Sequence, residues 1–406
     1  MMSIEAGVVS SALLVHRKES KPSAPLPRAR WLSYNAARGN VSDMKDSDAI
    51  DNNIEQSQES AEAPVVVSRD EMSRVQDIAT QLIETLRDIP EGDLVGEIVA
   101  NALKLLRDHT NRGDIKLIDK SFKELRYGLK VFAPFREVHK VSIFGSARTP
   151  ESHGDYKQAA EFARKMAAVG WMVITGAGGG IMAAGHGGAG AEPSFGLSIR
   201  LPFEQRTNQF IADDPKLINF KYFFTRKLMF VRSSNAIALF PGGFGTMDVG
   251  FEVLTLVQTG KSVPMPIVFI DSPGSTYWTA WQQYVEKQLL GRGLIGPDDL
   301  HLYKITSNVD EAVEELRNFY KNYHSVRYVR DDLVMRLQHK PTNAQLAQIQ
   351  EKFSDLLTAG TFKVSGPLSV EQDEPALATL PRLVFRFNRR DHGRLRMLIN
   401  FLNSLA

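Results

Sequence analysis

The sequence predicts an α/β protein: a parallel sheet with helices on both faces, a helical segment before it and a small α+β module after it. Three observations predict it. Short, continuously apolar runs alternate with amphipathic stretches between residues 140 and 325, as strands buried on both faces do. Glycine-rich turns follow the first, second and fourth of those runs. The segments on either side lack the alternation.

The chain has 406 residues, 43% of them hydrophobic, enough apolar material for a large core. Its 49 Lys+Arg against 47 Asp+Glu leave a net charge of +2, which excludes a bulk electrostatic case for nucleic-acid binding. Without cysteine there are no disulfides, thiolate nucleophiles, iron–sulfur clusters or thiolate zinc sites. The longest apolar runs, 236–240 and 266–270, fall far short of the ~20 residues of a membrane helix. A soluble, cytoplasmic protein is expected.

Residues 1–66 read as a disordered tail. Positions 1–41 carry six Lys/Arg and two acids, positions 42–65 one Lys and seven acids, and neither stretch keeps a hydrophobic period. A signal peptide is not expected, because the weakly apolar stretch 6–15 follows Glu5 instead of a basic segment. Residues 67–137 form the helical segment. Ser68-Arg-Asp-Glu71 is a capping box, and Val75, Ile78, Leu82 and Leu86 follow at helical spacing. Further helices fit 94–109 and 114–132. Packing on the next domain or on a second subunit is their expected role.

Residues 138–325 form the central domain. Strands are expected at 141–144, 171–175, 195–199, 236–240, 266–271 and 302–305, with helices at 155–169, 180–191, 223–234, 246–259, 277–290 and 308–323 between and after them. Ligands of such sheets bind where strands lead into helix N-termini. Gly145-Ser146-Ala147-Arg148 follows the first strand, Gly176-Ala-Gly178-Gly179-Gly180-Ile-Met182 the second, and Pro241-Gly242-Gly243-Phe-Gly245-Thr246 the fourth. Glycines there let backbone N–H groups approach an anion, and the helix dipole adds attraction. Thr246 is expected to offer its hydroxyl to a phosphate and to cap its helix. One glycine-rich turn is weak support for a ligand, but three on one sheet edge favour a phosphorylated one.

The second loop fits G-x-G-x-x-A loosely, yet the third strand leads to Arg200 where a ribose-binding acid belongs, so an NAD enzyme is disfavoured and no cofactor is expected. Thr259-Gly-Lys-Ser262 lacks the leading glycine of a P-loop and ends a helix.

Gly180-Ile-Met182, Thr225-Arg226-Lys227 and the Pro241–Thr246 motif resemble the "lonely guy" family of phosphoribohydrolases, long mislabelled lysine decarboxylases, over roughly residues 138–325. The resemblance implies a Rossmann-like homodimer. It implies hydrolysis of the N-glycosidic bond of a nucleoside 5′-monophosphate, AMP or a cytokinin ribotide, to free base and ribose 5-phosphate. Breaking that bond develops positive charge on the sugar, which a carboxylate stabilises. In the family the Arg of the Arg-Lys pair and the last Glu of P-G-G-x-G-T-x-x-E form the catalytic pair. Arg226 matches the first, but Val249 stands at the second. Asp248 and Glu252 are then the nearest acids. Substrate binding falls to Gly145, Ser146, Gly178, Gly179, Gly180, Met182, Lys227, Gly242, Gly243, Gly245 and Thr246, with Arg206 and Lys221 as outer candidates. The alternative is a catalytically silent nucleotide or molybdenum-cofactor carrier, and Val249 is the residue that speaks for it.

His139, His153 and His186 have no metal-binding spacing and read as solvated or satisfied. Helices 223–234 and 246–259 are apolar on more than one face, which predicts a two-fold mate. Val249 is expected to line the pocket near the sugar, with weak hydrolysis that Val249→Glu would raise.

Residues 326–406 read as a small α+β module, with helices at 343–357 and 392–405 and strands at 362–365 and 383–387. Arg382, Arg386, Arg389, Arg390, Arg394 and Arg396 gather there, and alternation puts Arg382 and Arg386 on a solvated face. A regulatory anion or acidic partner is the functional reading of that cluster; nucleic acid is disfavoured, since exposed aromatics do not interleave it.

Overall fold

A computed structural model describes residues 69–199, 207–371 and 374–406. The expected tail, 1–66, and Arg200 and Arg206 lie outside the described residues. Helices α1 (Arg69–Leu86), α2 (Gly92–Arg107) and α3 (Arg112–Phe132) come first. The α3 helix starts at Asn111, whose side chain accepts the Asp114 N–H. It ends in a short turn that Lys140 secures by donating Nζ to the Phe135 carbonyl at 2.7 Å.

The sheet then builds from β1 (Lys140–Phe144), α4 (Gly154–Ala168), β2 (Met172–Thr175), α5 (Ile181–Ala189), β3 (Ser194–Ile199), β4 (Leu217–Phe220), α6 (Phe223–Ser233), β5 (Ala236–Leu239), α7 (Phe244–Gln258), β6 (Ile267–Ile270), α8 (Tyr277–Tyr284), β7 (Tyr303–Thr306) and α9 (Val309–Phe319). All seven strands are parallel, in the order β4-β3-β2-β1-β5-β6-β7. The chain winds outward from β1 to β4 and then returns to place β5 on the other side of β1. That reversal makes the β1–β5 boundary the topological switch point, where such sheets hold ligands. Apolar side chains fill both faces: Val141, Ile143, Phe162 and Leu316 on one, Leu239, Val253, Phe269 and Trp278 on the other.

The strand β4 is absent from the sequence reading. It is an edge strand, with Ile218 and Phe220 buried around exposed Asn219, and four residues leave too short a pattern to recognise.

The C-terminal module comprises β8 (Tyr323–Val329), β9 (Asp332–Leu337), α10 (Asn343–Phe353), β10 (Leu357–Ser365), β11 (Arg382–Phe387) and α11 (His392–Ser404). Its antiparallel order is β10-β11-β9-β8. The β8–β9 hairpin is also new, and β8 crosses the expected division at 325/326. It turns with Arg330 at φ 55°, where no glycine marks the turn. Asn403 on α11 accepts the N–H groups of Asn322 and Tyr323, each at 2.9 Å, and so pins the last helix to the start of β8.

The arginine cluster does not converge. Arg382 is fully buried and donates to Glu371 Oε2 at 3.0 Å, Arg394 pairs with Asp355, Arg390 with Asp391, and Arg396 with Glu315 on α9. Arg386 faces Asp331 and Asp332, and Arg389 lies over the Tyr328 ring. The expected solvated face holds for Arg386 but fails for Arg382, because Glu371 folds over it from a distant turn. Burial alone would raise the Glu371 pKa, but the Leu368 N–H and the Arg336 and Arg382 guanidinium groups outweigh it and hold it at about 2. A folded-state pKa below the unfolded value stabilises the fold above that unfolded value, and the contribution is lost as pH falls toward the folded one. The C-terminal module is therefore expected to lose stability between about pH 4.5 and 2. Acid titration followed by near-UV dichroism checks it, and Glu371→Gln should flatten the profile.

Candidate functional site

The loops after β1 and β5 touch at the switch point. Ser146 donates its N–H to the Pro241 carbonyl at 3.0 Å, and Ile181 at the start of α5 donates to the Ser146 carbonyl at 3.0 Å. One short segment, 145–146, therefore ties all three glycine loops together. Gly180 has φ 57° and ψ −129°, a region closed to side-chain-bearing residues, and a Cβ there would collide with the Ser146 carbonyl.

The β2–α5 loop is held from beneath. Ala177 adopts φ 64°, a strained value for a residue with a Cβ. Thr175 Oγ1 accepts the Ala177 N–H at 3.0 Å, and Asn208 donates its N–H to the Ala177 carbonyl and Nδ2 to the Gly178 carbonyl, each at 2.9 Å. His186 is wholly buried among Thr175, the Phe195 carbonyl and Asn208. Burial lowers its pKa despite these hydrogen bonds, so it is a satisfied core histidine. His153 accepts the Asp155 N–H, and His139 lies between the Trp171 and Tyr320 rings.

Among the described residues, the N–H groups of Gly178, Gly179 and Gly180 ahead of α5, and of Gly243, Phe244 and Gly245 at α7, have no hydrogen-bond acceptor. Two helix N-termini with open donors on one sheet edge suit an anion. Gly242 is different. Its N–H donates to the Tyr277 hydroxyl at 3.3 Å, and that hydroxyl donates to the Gly242 carbonyl. Its role is to be held, and Tyr277 escaped the sequence reading because no glycine motif surrounds it.

Thr246 is 5% exposed, and its hydroxyl makes no hydrogen bond to another described residue. The expected cap is not there: α7 begins at Phe244 with Gly243 as its N-cap, which puts Thr246 inside the first turn. Tyr277→Phe should weaken anion binding about five- to tenfold, the effect of ~1 kcal/mol from one hydroxyl. Calorimetry with AMP beside a melting curve checks it.

Arg226 on α6 donates Nε to the Leu197 carbonyl at 2.7 Å and Nη2 to the Gly176 carbonyl at 3.4 Å, with its guanidinium 5.3 Å from the Phe230 ring. It is thereby fixed at the ends of β2 and β3, beside Met182, whose sulfur packs over Gly176 and Gly178. Lys227, next in sequence, turns toward α7 and binds both candidate acids: Nζ lies 3.2 Å from Asp248 and 3.0 Å from Glu252. The Glu252 contact is an ion pair without hydrogen-bond alignment. Burial would lower the Lys227 pKa, but the two carboxylates raise it. Lys227 thus bridges two helices. Lys221 lies over the Tyr222 ring, and Tyr222 stacks on Phe224.

Val249 is 7% exposed and packs in the apolar cluster of Val231, Leu239, Val253 and Val257. It shares one stripe of α7 with Thr246, Val253 and Val257, and that stripe faces the sheet.

The fold defines a Rossmann-like domain, with the glycine loops and their open N–H groups gathered at the switch point. Residues 179–316 match the family model described as "possible lysine decarboxylase", which shows the resemblance to the lonely guy family over that segment. The chain matches none of the curated proteins. Similar solved structures include the molybdenum cofactor carrier protein of Chlamydomonas reinhardtii, 18% identical over 44% of this chain and 96% of that one, with a TM-score of 0.32. The molybdenum cofactor binding protein of Rippkaea orientalis is 17% identical over 44% and 94%, at 0.32. The DNA processing protein A of Helicobacter pylori is 16% identical over 44% and 80%, at 0.31.

Proposed function

We propose that the chain binds a nucleoside 5′-monophosphate such as AMP at this edge and hydrolyses its N-glycosidic bond. The observation that carries the reading is the pair of open N–H sets, at 178–180 and 243–245, drawn together by Ser146 beside Arg226. The phosphate sits on the helix N-termini, and Thr246 supplies a hydroxyl. Water adds its OH to the sugar carbon and its proton goes to the departing base. Asp248 or Glu252 serves as the carboxylate facing the developing charge, with Lys227 holding both in place. The test is chromatographic detection of free base and ribose 5-phosphate from AMP, with Asp248→Asn and Glu252→Gln compared. Turnover unaffected by either variant would remove both acids from the role.

A second reading, a silent nucleotide or molybdenum-cofactor carrier, is favoured by one observation: Val249 replaces the expected acid, and the two that remain are tied to Lys227. Binding of AMP without base release would establish a silent nucleotide binder, and a purified chain carrying molybdenum the cofactor carrier. We also propose a homodimer. Phe223, Phe224, Leu228 and Phe251 are each at least 39% exposed on α6 and α7, and Phe244 is 96% exposed, a patch beside the site that a two-fold mate would cover. Among the described residues no helix is long and apolar enough to cross a membrane; a cytoplasmic setting belongs to this proposal.

A further inference from the structure

Glu124, on α3, is a buried carboxylate outside both the sheet and the segment that matches the family model. Its side chain is spent on α6. Oε1 accepts the Lys221 N–H at 2.7 Å, and Oε2 accepts the Thr225 hydroxyl at 2.7 Å. No salt bridge compensates it among the described residues. The α6 helix has Tyr222 at its N-cap and no side-chain cap, and Glu124 grips it by the Lys221 N–H just before the helix and by the Thr225 side chain in its first turn. A negative charge beside the helix N-terminus is favoured by the helix dipole.

The approach is close. One turn along α3, Gly128 faces α6, and a Cβ there would lie 3.0 Å from Met229 Cε. Phe132, a further turn on, stacks on Phe195 of β3 at 4.4 Å. Glu124, Gly128 and Phe132 thus form one stripe of α3 that grips α6 and β3.

We infer that Glu124 is a positioning residue for the candidate site, acting through Thr225 on its neighbours Arg226 and Lys227. Thr225 is fully buried, so the carboxylate sets the position of the first turn of α6. That turn in turn aims Arg226 at the Leu197 and Gly176 carbonyls and Lys227 at Asp248 and Glu252. The inference rests on the nucleotide-binding reading, and it makes the helical segment 112–132 a working part of the site.

The test uses the full chain and two readouts. In calorimetry with AMP, Glu124→Ala weakens binding at least tenfold, and Glu124→Gln, which still accepts the Lys221 N–H, recovers most of the loss. Asn403→Ala, a destabilising control in α11, stays within twofold of wild type. In amide hydrogen exchange without ligand, Glu124→Ala speeds exchange at 222–228 and 176–180 and leaves 309–319 unchanged. Thr225→Val removes one of the two bonds and serves in both arms if Glu124→Ala does not fold. Wild-type affinity in Glu124→Ala, or faster exchange spread evenly over the chain, overturns the inference. If wild type does not bind AMP, the ligand reading fails and the exchange arm alone decides the positioning role.

Discussion

Arg226→Ala is expected to weaken AMP binding about 10- to 100-fold, the range of ~1.5–3 kcal/mol for hydrogen bonds made by a charged group. Two effects combine. The cation beside the phosphate site is lost, and the Leu197 and Gly176 carbonyls lose their donor. Because Gly176 opens the glycine loop, its release also loosens the N–H groups at 178–180. Arg226→Lys should recover only part of the affinity, since an ammonium cannot reach both carbonyls with a planar fork. Calorimetry on the three proteins, with melting curves beside it, checks this. An Ala variant that binds as wild type would remove Arg226 from the site.

Val249→Glu is expected to destabilise the fold by about 3–5 kcal/mol, the scale of an uncompensated charge in an apolar interior. Restoring the acid of the family motif would thus place it among Val231, Leu239 and Val253. Equilibrium urea unfolding gives the number, and base release from AMP should not rise. A stable Val249→Glu variant with faster hydrolysis would show instead that α7 turns this position toward the substrate when ligand binds.

These two results divide along what the sequence discloses. Continuous apolar runs such as 236–240 are strands with glycine loops after them, and the switch point brings those loops together. That pattern is local, so it is legible. Burial direction is not. Thr246, Val249 and Val253 lie on one helix stripe by spacing alone, but only packing shows that the stripe faces β5 and the core. Arg382 looks solvated by strand alternation, because its partner Glu371 arrives from a separate turn. Tyr277 and Glu124 each act on a backbone more than thirty residues away, and no spacing rule reports such pairs. The strand β4 and the β8–β9 hairpin were hidden for a simpler reason: one is too short, and the other turns on Arg330 without a glycine.

The proposed site holds its ligand by the phosphate, at the N-termini of α5 and α7. Titrating the wild-type chain with AMP and, separately, with adenosine tests it most directly. Open N–H groups and Arg226 act only on the phosphate, so adenosine should bind at least about a hundredfold more weakly, and Thr246→Ala with Arg226→Ala should abolish the difference. Equal affinity for AMP and adenosine, or no binding of AMP at all, would rule out phosphate anchoring at these helix ends.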